Sequence, residues 1–373
     1  MAYLKSLAPV DLALCQGATF LQSPLWGLFK SRFGWNAQGF LAEWEHPAQG
    51  AGRGTVLALI RSFSLPVLGR VFTFAYIPWG PELPQAWGLP PAPEVRQGAL
   101  TELAESLRQS LPRHTAFIRI DPPWYSAEGA ALEPLALPFV KAGSDVQPPD
   151  TVILDLSAPE EEILGSMKPK WRYNVRLSEK KGVEIRQSGQ EELSVFYTLF
   201  QETARRDGIA IHSFEYYATL FALCLDEKSI PKTAVHHPDS EPGGFWEDPM
   251  PDLRLYIASH EGQDIAAIIT LFRGSQAYYL YGASSDQKRN LMAPYGLQWK
   301  AICDAKAAGC LEYDLFGIPP REDPQHPMAG LYRFKTGFGG NSIHRMGSYD
   351  YPYRPLLARL FRKAEAVRQQ LRR

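Results

Sequence analysis

Pro148-Pro149-Asp150-Thr151-Val152-Ile153-Leu154-Asp155-Leu156 is the stretch on which the fold turns. Two successive prolines cannot donate to a sheet ladder or continue a helix, so they close what precedes them, and the β-rich run from Thr151 opens a new sheet. Upstream lie β-rich runs at Thr55 to Arg61, Arg70 to Tyr76 and Thr115 to Asp121, with a helix predicted from about Gln97 to Leu111 between the last two. Downstream the same alternation returns. A helix from about Glu160 to Lys181 precedes a strand at Val183 to Gln187, and helices follow from about Glu191 to Arg206 and Phe214 to Leu225. Strands at Leu253 to Ser259, Ile265 to Arg273 and Gln276 to Tyr281 lead to a helix from about Ala293 to Ala308 and a strand at Leu311 to Phe316. This order predicts two α/β units in tandem. Residues 231–252, rich in Pro, Gly, Asp and His, read as a surface insertion in the second.

Composition agrees and excludes several classes. At 373 residues and 45% hydrophobic content the chain is too long for one ordinary core and suits two. A formal net charge of -1 rules out attraction to nucleic acid by the field of the whole molecule, so any RNA contact needs a local basic patch. Cys15, Cys224, Cys303 and Cys310 lack CxxC spacing and read as reduced cytoplasmic thiols. The 8 histidines form no HExxH, and no metal is expected. No run approaches the length of a membrane span, so a membrane-bound substrate would be met from the aqueous side.

Lys168, Arg172, Arg176 and Lys180 recur every fourth residue, with Lys170, Lys181 and Arg186 nearby and no carboxylate between Met167 and Ser178. On a helix they make one basic stripe, either a solvated face or a site for an anion such as a tRNA backbone or a diphosphate. Further on, Asp286 to Asn290 and the helix after it outline a phosphate-binding turn. Pro294 removes a backbone donor there and Tyr295 fills space, which argues against acyl-CoA.

The run Gly330-Leu331-Tyr332-Arg333-Phe334-Lys335-Thr336-Gly337-Phe338-Gly339-Gly340 sets one lysine between two phenylalanines. An ammonium packed against Phe334 and Phe338 loses water, and negative charge developing on a substrate oxygen beside it is stabilised more strongly than in solvent. The same lysine also reads as a loop residue ahead of a strand, its stem lying over apolar surface.

Together with Trp26-Gly27-Leu28-Phe29-Lys30, Tyr76-Ile77-Pro78-Trp79-Gly80-Pro81, Arg119-Ile120-Asp121-Pro122, Met167-Lys168-Pro169-Lys170-Trp171-Arg172-Tyr173-Asn174-Val175-Arg176, Tyr279-Leu280-Tyr281-Gly282-Ala283-Ser284, Met292-Ala293-Pro294-Tyr295 and Tyr313-Asp314-Leu315-Phe316-Gly317-Ile318, this run follows an order that resembles the FemABX peptidyltransferases over nearly the whole chain. The resemblance implies an α/β fold of two tandem GNAT-like domains, 1–150 plus about 346–373 and 151–345. It is similar to the shorter, FemX-like branch without a coiled-coil arm. It further implies an aminoacyltransferase that adds an amino acid from aminoacyl-tRNA to the peptide stem of a peptidoglycan precursor, either UDP-MurNAc-pentapeptide or lipid II. The step would be direct aminolysis of the ester, with no cofactor, in a cytoplasmic monomer that touches the inner face of the membrane. Lys335 would stabilise the oxyanion or the leaving ribose oxygen, held by Phe334. Lys30 would grip the diphosphate, and Asp121, Tyr216 and Tyr281 would line the substrate site. His212 stands in the substrate site where that branch carries an arginine, so either diphosphate binding is weaker, another cation such as Arg205 or Arg206 substitutes, or the acceptor differs from the nucleotide precursor. Two other readings stand beside this one: an acyl-CoA N-acyltransferase on the same scaffold, and a non-catalytic protein that binds tRNA or the precursor.

Overall fold

The computed structural model describes residues 3–65, 70–126, 131–226, 234–236, 245–247 and 251–370. Ahead of the double proline come β1 (Leu4–Val10), α1 (Pro24–Ser31), β2 (Asn36–His46), β3 (Gly50–Leu65), β4 (Arg70–Ile77), α2 (Pro93–Ser110), β5 (Thr115–Ile120) and β6 (Val140–Lys141). After it follow β7 (Asp150–Asp155), α3 (Glu160–Ser166), α4 (Pro169–Lys180), β8 (Glu184–Ser188), α5 (Leu193–Asp207) and α6 (Phe214–Leu225). The remainder runs β9 (Ala234–His236), β10 (Phe245–Glu247), β11 (Asp252–His260), β12 (Gln263–Arg273), β13 (Gln276–Ser284), α7 (Ala293–Ala307), β14 (Glu312–Asp314), α8 (Ala329–Thr336), β15 (Asn341–His344), β16 (Tyr349–Pro352) and α9 (Pro355–Gln370). The architecture is mixed α/β with two seven-stranded sheets. Most of the 231–252 stretch lies outside the described residues; within it β9 and β10 pair antiparallel.

The chain divides into two compact units, and the boundary falls between Pro149 and Asp150. One holds Met1–Pro149, the β9–β10 pair and His344–Arg373, so the last strand and helix belong with the first sheet, and the paired strands within the 231–252 stretch group with the first unit and not, as expected, with the second. That sheet runs β1-β2-β3-β4-β5-β16-β6. Its core packs Phe40, Trp44, Val56 and Ile60 against the apolar face of α2, where Leu100, Leu103 and Leu107 recur at helical spacing. Arg119 on β5, itself buried, donates to Asp350 at 2.7 Å and to Glu365 at 2.8 Å, tying β16 and α9 to the sheet. Burying that guanidinium is tolerated because both carboxylates meet its planar fork.

The second unit's sheet runs β15-β7-β14-β13-β12-β11-β8. In both units a helix crosses between two parallel neighbours, α2 between β4 and β5 and α7 between β13 and β14. This recurring crossover is the structural form of the repeated alternation in the sequence. Tyr256, Ala258 and Ile268 turn toward the core that α7 covers, where Leu297, Ala301 and Ile302 are buried.

One predicted element is corrected. The helix drawn from Glu160 to Lys181 is two, α3 and α4, because Pro169 cannot donate its backbone N–H and disfavours helical backbone at Lys168. Lys168 is therefore the residue that caps α4, extended at ψ 143°, and its own N–H donates to Gly337 O at 2.9 Å.

Candidate active site

The glycine-rich run near residue 335 folds as α8 and its exit, so Lys335 sits on a helix and not on a loop. It is only 5% exposed. Its Nζ donates to Phe316 O at 3.1 Å and Gly317 O at 2.9 Å, and it lies 5.2 Å from the centroid of the Tyr279 ring. Phe316 takes a left-handed φ of 59°, rare for a bulky residue, and its N–H is held by Asp314 Oδ1 at 2.7 Å. That turn at the end of β14 brings both carbonyls to one ammonium. Burial pushes the Lys335 amine down to about 7, against the opposing pull of Asp314. An ammonium has three N–H donors; the two carbonyls take two, leaving one for a ligand oxygen.

The clamp of Phe334 and Phe338 expected around this ammonium is corrected: the ring that faces it is Tyr279. Phe334 and Phe338 pack edge to face against each other at 5.1 Å, and Tyr295 stands 5.2 Å from Phe334. Successive helical residues point about 100° apart, so Phe334 and Lys335 cannot share a direction. Phe334 contributes through its backbone as well, since its carbonyl accepts from Trp171 Nε1 at 2.8 Å. Trp171 also fills the space a Cβ on Gly337 would need, 2.0 Å from its ring, so only glycine fits there. Trp171 thus holds the segment that carries Phe334 and Gly337, a part that the sequence reading did not assign to it.

His212, Tyr216 and Tyr281 come together elsewhere in the second unit. The His212 ring stacks on Tyr216 at 3.8 Å, and Tyr281 meets Tyr217 edge to face at 5.1 Å. The Tyr281 hydroxyl hydrogen-bonds Tyr216, and burial raises the pKa of both phenols, so they stay neutral donors. β13 carries an extra residue at Leu280, where Ile269 pairs with Tyr281 but Thr270 with Tyr279. The bulge sends Tyr279 toward α7, where it hydrogen-bonds Gln298, and Tyr281 toward α5 and α6. Gly282 leaves room for this: a Cβ there would lie 1.8 Å from the Tyr279 hydroxyl.

In the first unit Lys30 ends α1, with its Nζ 5.2 Å from the Trp26 ring and 5.8 Å from Trp35. Arg61 on β3 lies over the same Trp35 at 5.3 Å. Burial lowers Lys30 to about 8, and the nearby Arg61 charge adds to that. Lys30 and Arg61 thus share one indole, and Arg61 had no sequence signal because it sits in an ordinary strand. Arg206, named as an alternative cation, is held by Asp207 at 2.9 Å and Asp286 at 3.0 Å.

Asp121, expected in the substrate site, lies within a network of hydrogen bonds in the first unit. It is 2% exposed, Tyr76 and Ser348 hydroxyls each donate to one of its oxygens, and Gln147 N adds a contact at 3.4 Å. Burial lifts its pKa to about 6 despite those donors.

On α4, Lys168, Lys170, Arg176 and Lys180 are exposed, and among the described residues none of them forms an ion pair. Arg172 differs. Its guanidinium donates to Gly165 O at 2.8 Å and to Met167 O, closing the end of α3. Tyr173 stands 62% exposed among these cations, an aromatic the sequence reading left unassigned.

Two mixed α/β units of this kind are the fold of FemX. A crystal structure of that protein matches with a TM-score of 0.71 at 18% identity, over 96% of this chain and 100% of that one. The FemAB family model matches residues 137–231 and 254–366, more than half of the sequence, and the chain belongs to that family. It is 26% identical over 321 residues to a protein of Staphylococcus saprophyticus named lipid II:glycine glycyltransferase, covering 73% of this chain and 77% of that one. A Staphylococcus aureus protein of the same name is 28% identical over 306 residues, 68% of this chain and 73% of its own.

Proposed function

We propose that the protein is an aminoacyltransferase that adds an amino acid to the peptide stem of a peptidoglycan precursor, taking it from aminoacyl-tRNA in the cytoplasm. The observation that carries this reading is Lys335: a buried ammonium with one free N–H, in a chain whose relatives are named for glycyl transfer to lipid II. The stem amine attacks the ester carbonyl, and the oxyanion of the tetrahedral intermediate takes the remaining Lys335 donor. Collapse breaks the bond to the ribose oxygen, the amide forms, and the amine proton leaves with the departing hydroxyl. No covalent enzyme intermediate is needed.

Lys30 and Arg61 suit the diphosphate of the acceptor, and the exposed cations of α4 with Tyr173 suit an RNA backbone and a stacked base. The acyl-CoA alternative is less well supported. At the start of α7 Pro294 has no N–H, the Tyr295 N–H already donates to Met292 O at 2.9 Å, and the Tyr295 ring is packed against Trp171 at 5.7 Å. The test is incubation with charged tRNAs and either UDP-MurNAc-pentapeptide or lipid II, read by mass spectrometry. Acylation that requires acyl-CoA and ignores charged tRNA would overturn the proposal.

A further inference from the structure

The last helix, α9, has a face that the first unit does not use. Its inner side is accounted for: Ala358 is fully buried, Phe361 stacks on Phe72 at 5.2 Å, and Glu365 pairs with Arg119 at 2.8 Å. Arg362 reaches Asp350 at 3.6 Å on the same side. The outer side carries Leu356, Leu360 and Val367, which are 77%, 62% and 54% exposed. At about 100° per residue these three fall within roughly 40° of one another, a stripe about 16 Å long. Lys363 projects from the middle of that stripe and Arg359 from its edge, both exposed. The only acidic residue between Pro355 and Gln370 is Glu365, already neutralised by Arg119 on the inner face.

Three large aliphatic side chains in one line, interleaved with cations and free of exposed carboxylates, match a surface that is apolar beneath a layer of negative charge. We propose that the outer face of α9 docks this protein onto an anionic lipid bilayer, with Leu356, Leu360 and Val367 entering the acyl boundary and Arg359 and Lys363 at the phosphates. Lysine and arginine stems bend so that apolar neighbours sink while their charges stay at the headgroups. A second copy of the chain fits less well, because two such faces would bring Lys363 and Arg359 against their own counterparts. The proposal rests on the reading of the acceptor as a membrane-borne precursor, for which a surface-bound enzyme meets its substrate in two dimensions.

The experiment is co-sedimentation of the full chain with vesicles of phosphatidylglycerol and phosphatidylethanolamine that contain no acceptor, at low and high salt. Wild-type protein should bind at low salt, with the double substitution Leu356→Ser/Leu360→Ser weakening binding on the order of tenfold or more. Arg359→Gln/Lys363→Gln should lose about fivefold per charge and much of the salt dependence. All four positions are exposed, so transfer to a soluble UDP-linked acceptor should stay at the wild-type level in both variants. Failure of the wild-type protein to bind these vesicles would overturn the docking proposal, as would equal binding by wild type and both variants. A salt-resistant dimer that the serine variant dissolves, with no vesicle binding, would assign the face to a second copy instead. Vesicle binding through α9 without any aminoacyl transfer would leave the docking standing and remove the transferase reading.

Discussion

Replacing Lys335 with methionine keeps most of the stem's volume and removes the charge, and the structure says how the result should depend on pH. The folded-state amine is held down at about 7 by burial, against 10.5 in the unfolded chain. Between those values the unfolded state carries a proton that the folded state has released, so the contribution of Lys335 to stability rises with pH across this window. From pH 7 to pH 9.5 the rise is about 3 kcal/mol, taking about 1.4 kcal/mol per unit. Lys335→Met has no such term. It strands the carbonyls of Phe316 and Gly317, at about 1–3 kcal/mol each, but that cost does not vary with pH. The assay is urea unfolding of both proteins at pH 7 and pH 9.5, and the quantity read is the change in their difference. Wild type should gain on the variant by about 3 kcal/mol. A difference that stays constant between the two pH values would mean that Lys335 ionises as it does in water, and the dry, one-donor site argued for it would be wrong.

In transfer itself, Lys335→Ala should lower single-turnover kcat by about 100-fold or more and, because two carbonyls lose their donor, also lower Tm. Lys335→Arg should rescue part of the rate and move the alkaline fall in activity away from pH 7, since a guanidinium keeps its proton; an unchanged pH profile would separate that fall from Lys335. Arg61→Gln should raise KM for a diphosphate-bearing acceptor about tenfold with kcat little changed. Equal KM values would return the Trp35 stack to plain packing. Arg176→Glu with Lys180→Glu should flatten the salt dependence of tRNA binding by about two units of slope, which filter binding across a salt series measures, and an unaltered slope would make α4 a solvated face.

Much of the secondary structure was legible. β4, β5, β7, β11, β12 and β13 are runs of β-branched and apolar residues, α2, α5, α6 and α7 carry helical periodicity, and the double proline marks the boundary between units. These features depend on neighbours a few residues away, which is what a linear pattern encodes. β1 and β2 were not read: β1 takes its partner from beyond the intervening α1, and β2, although it pairs with the neighbouring β3, mixes polar and apolar residues too irregularly to show as a strand. The break at Pro169 was written in the sequence and overridden by the length of the periodic pattern. The candidate site divides the same way. Lys335 and Lys30 stood out as cations among aromatics, and His212, Tyr216 and Tyr281 by resemblance. That Lys335 would meet two carbonyls and Tyr279, that a bulge would part Tyr279 from Tyr281, that Arg61 would join Lys30 on one indole, and that Asp121 would vanish into hydrogen bonds from Tyr76 and Ser348 were decided by tertiary contact. Residue type supplies the chemistry a side chain can do; desolvation and the convergence of donors and acceptors, which select among those possibilities, exist only once segments far apart in the chain are packed together.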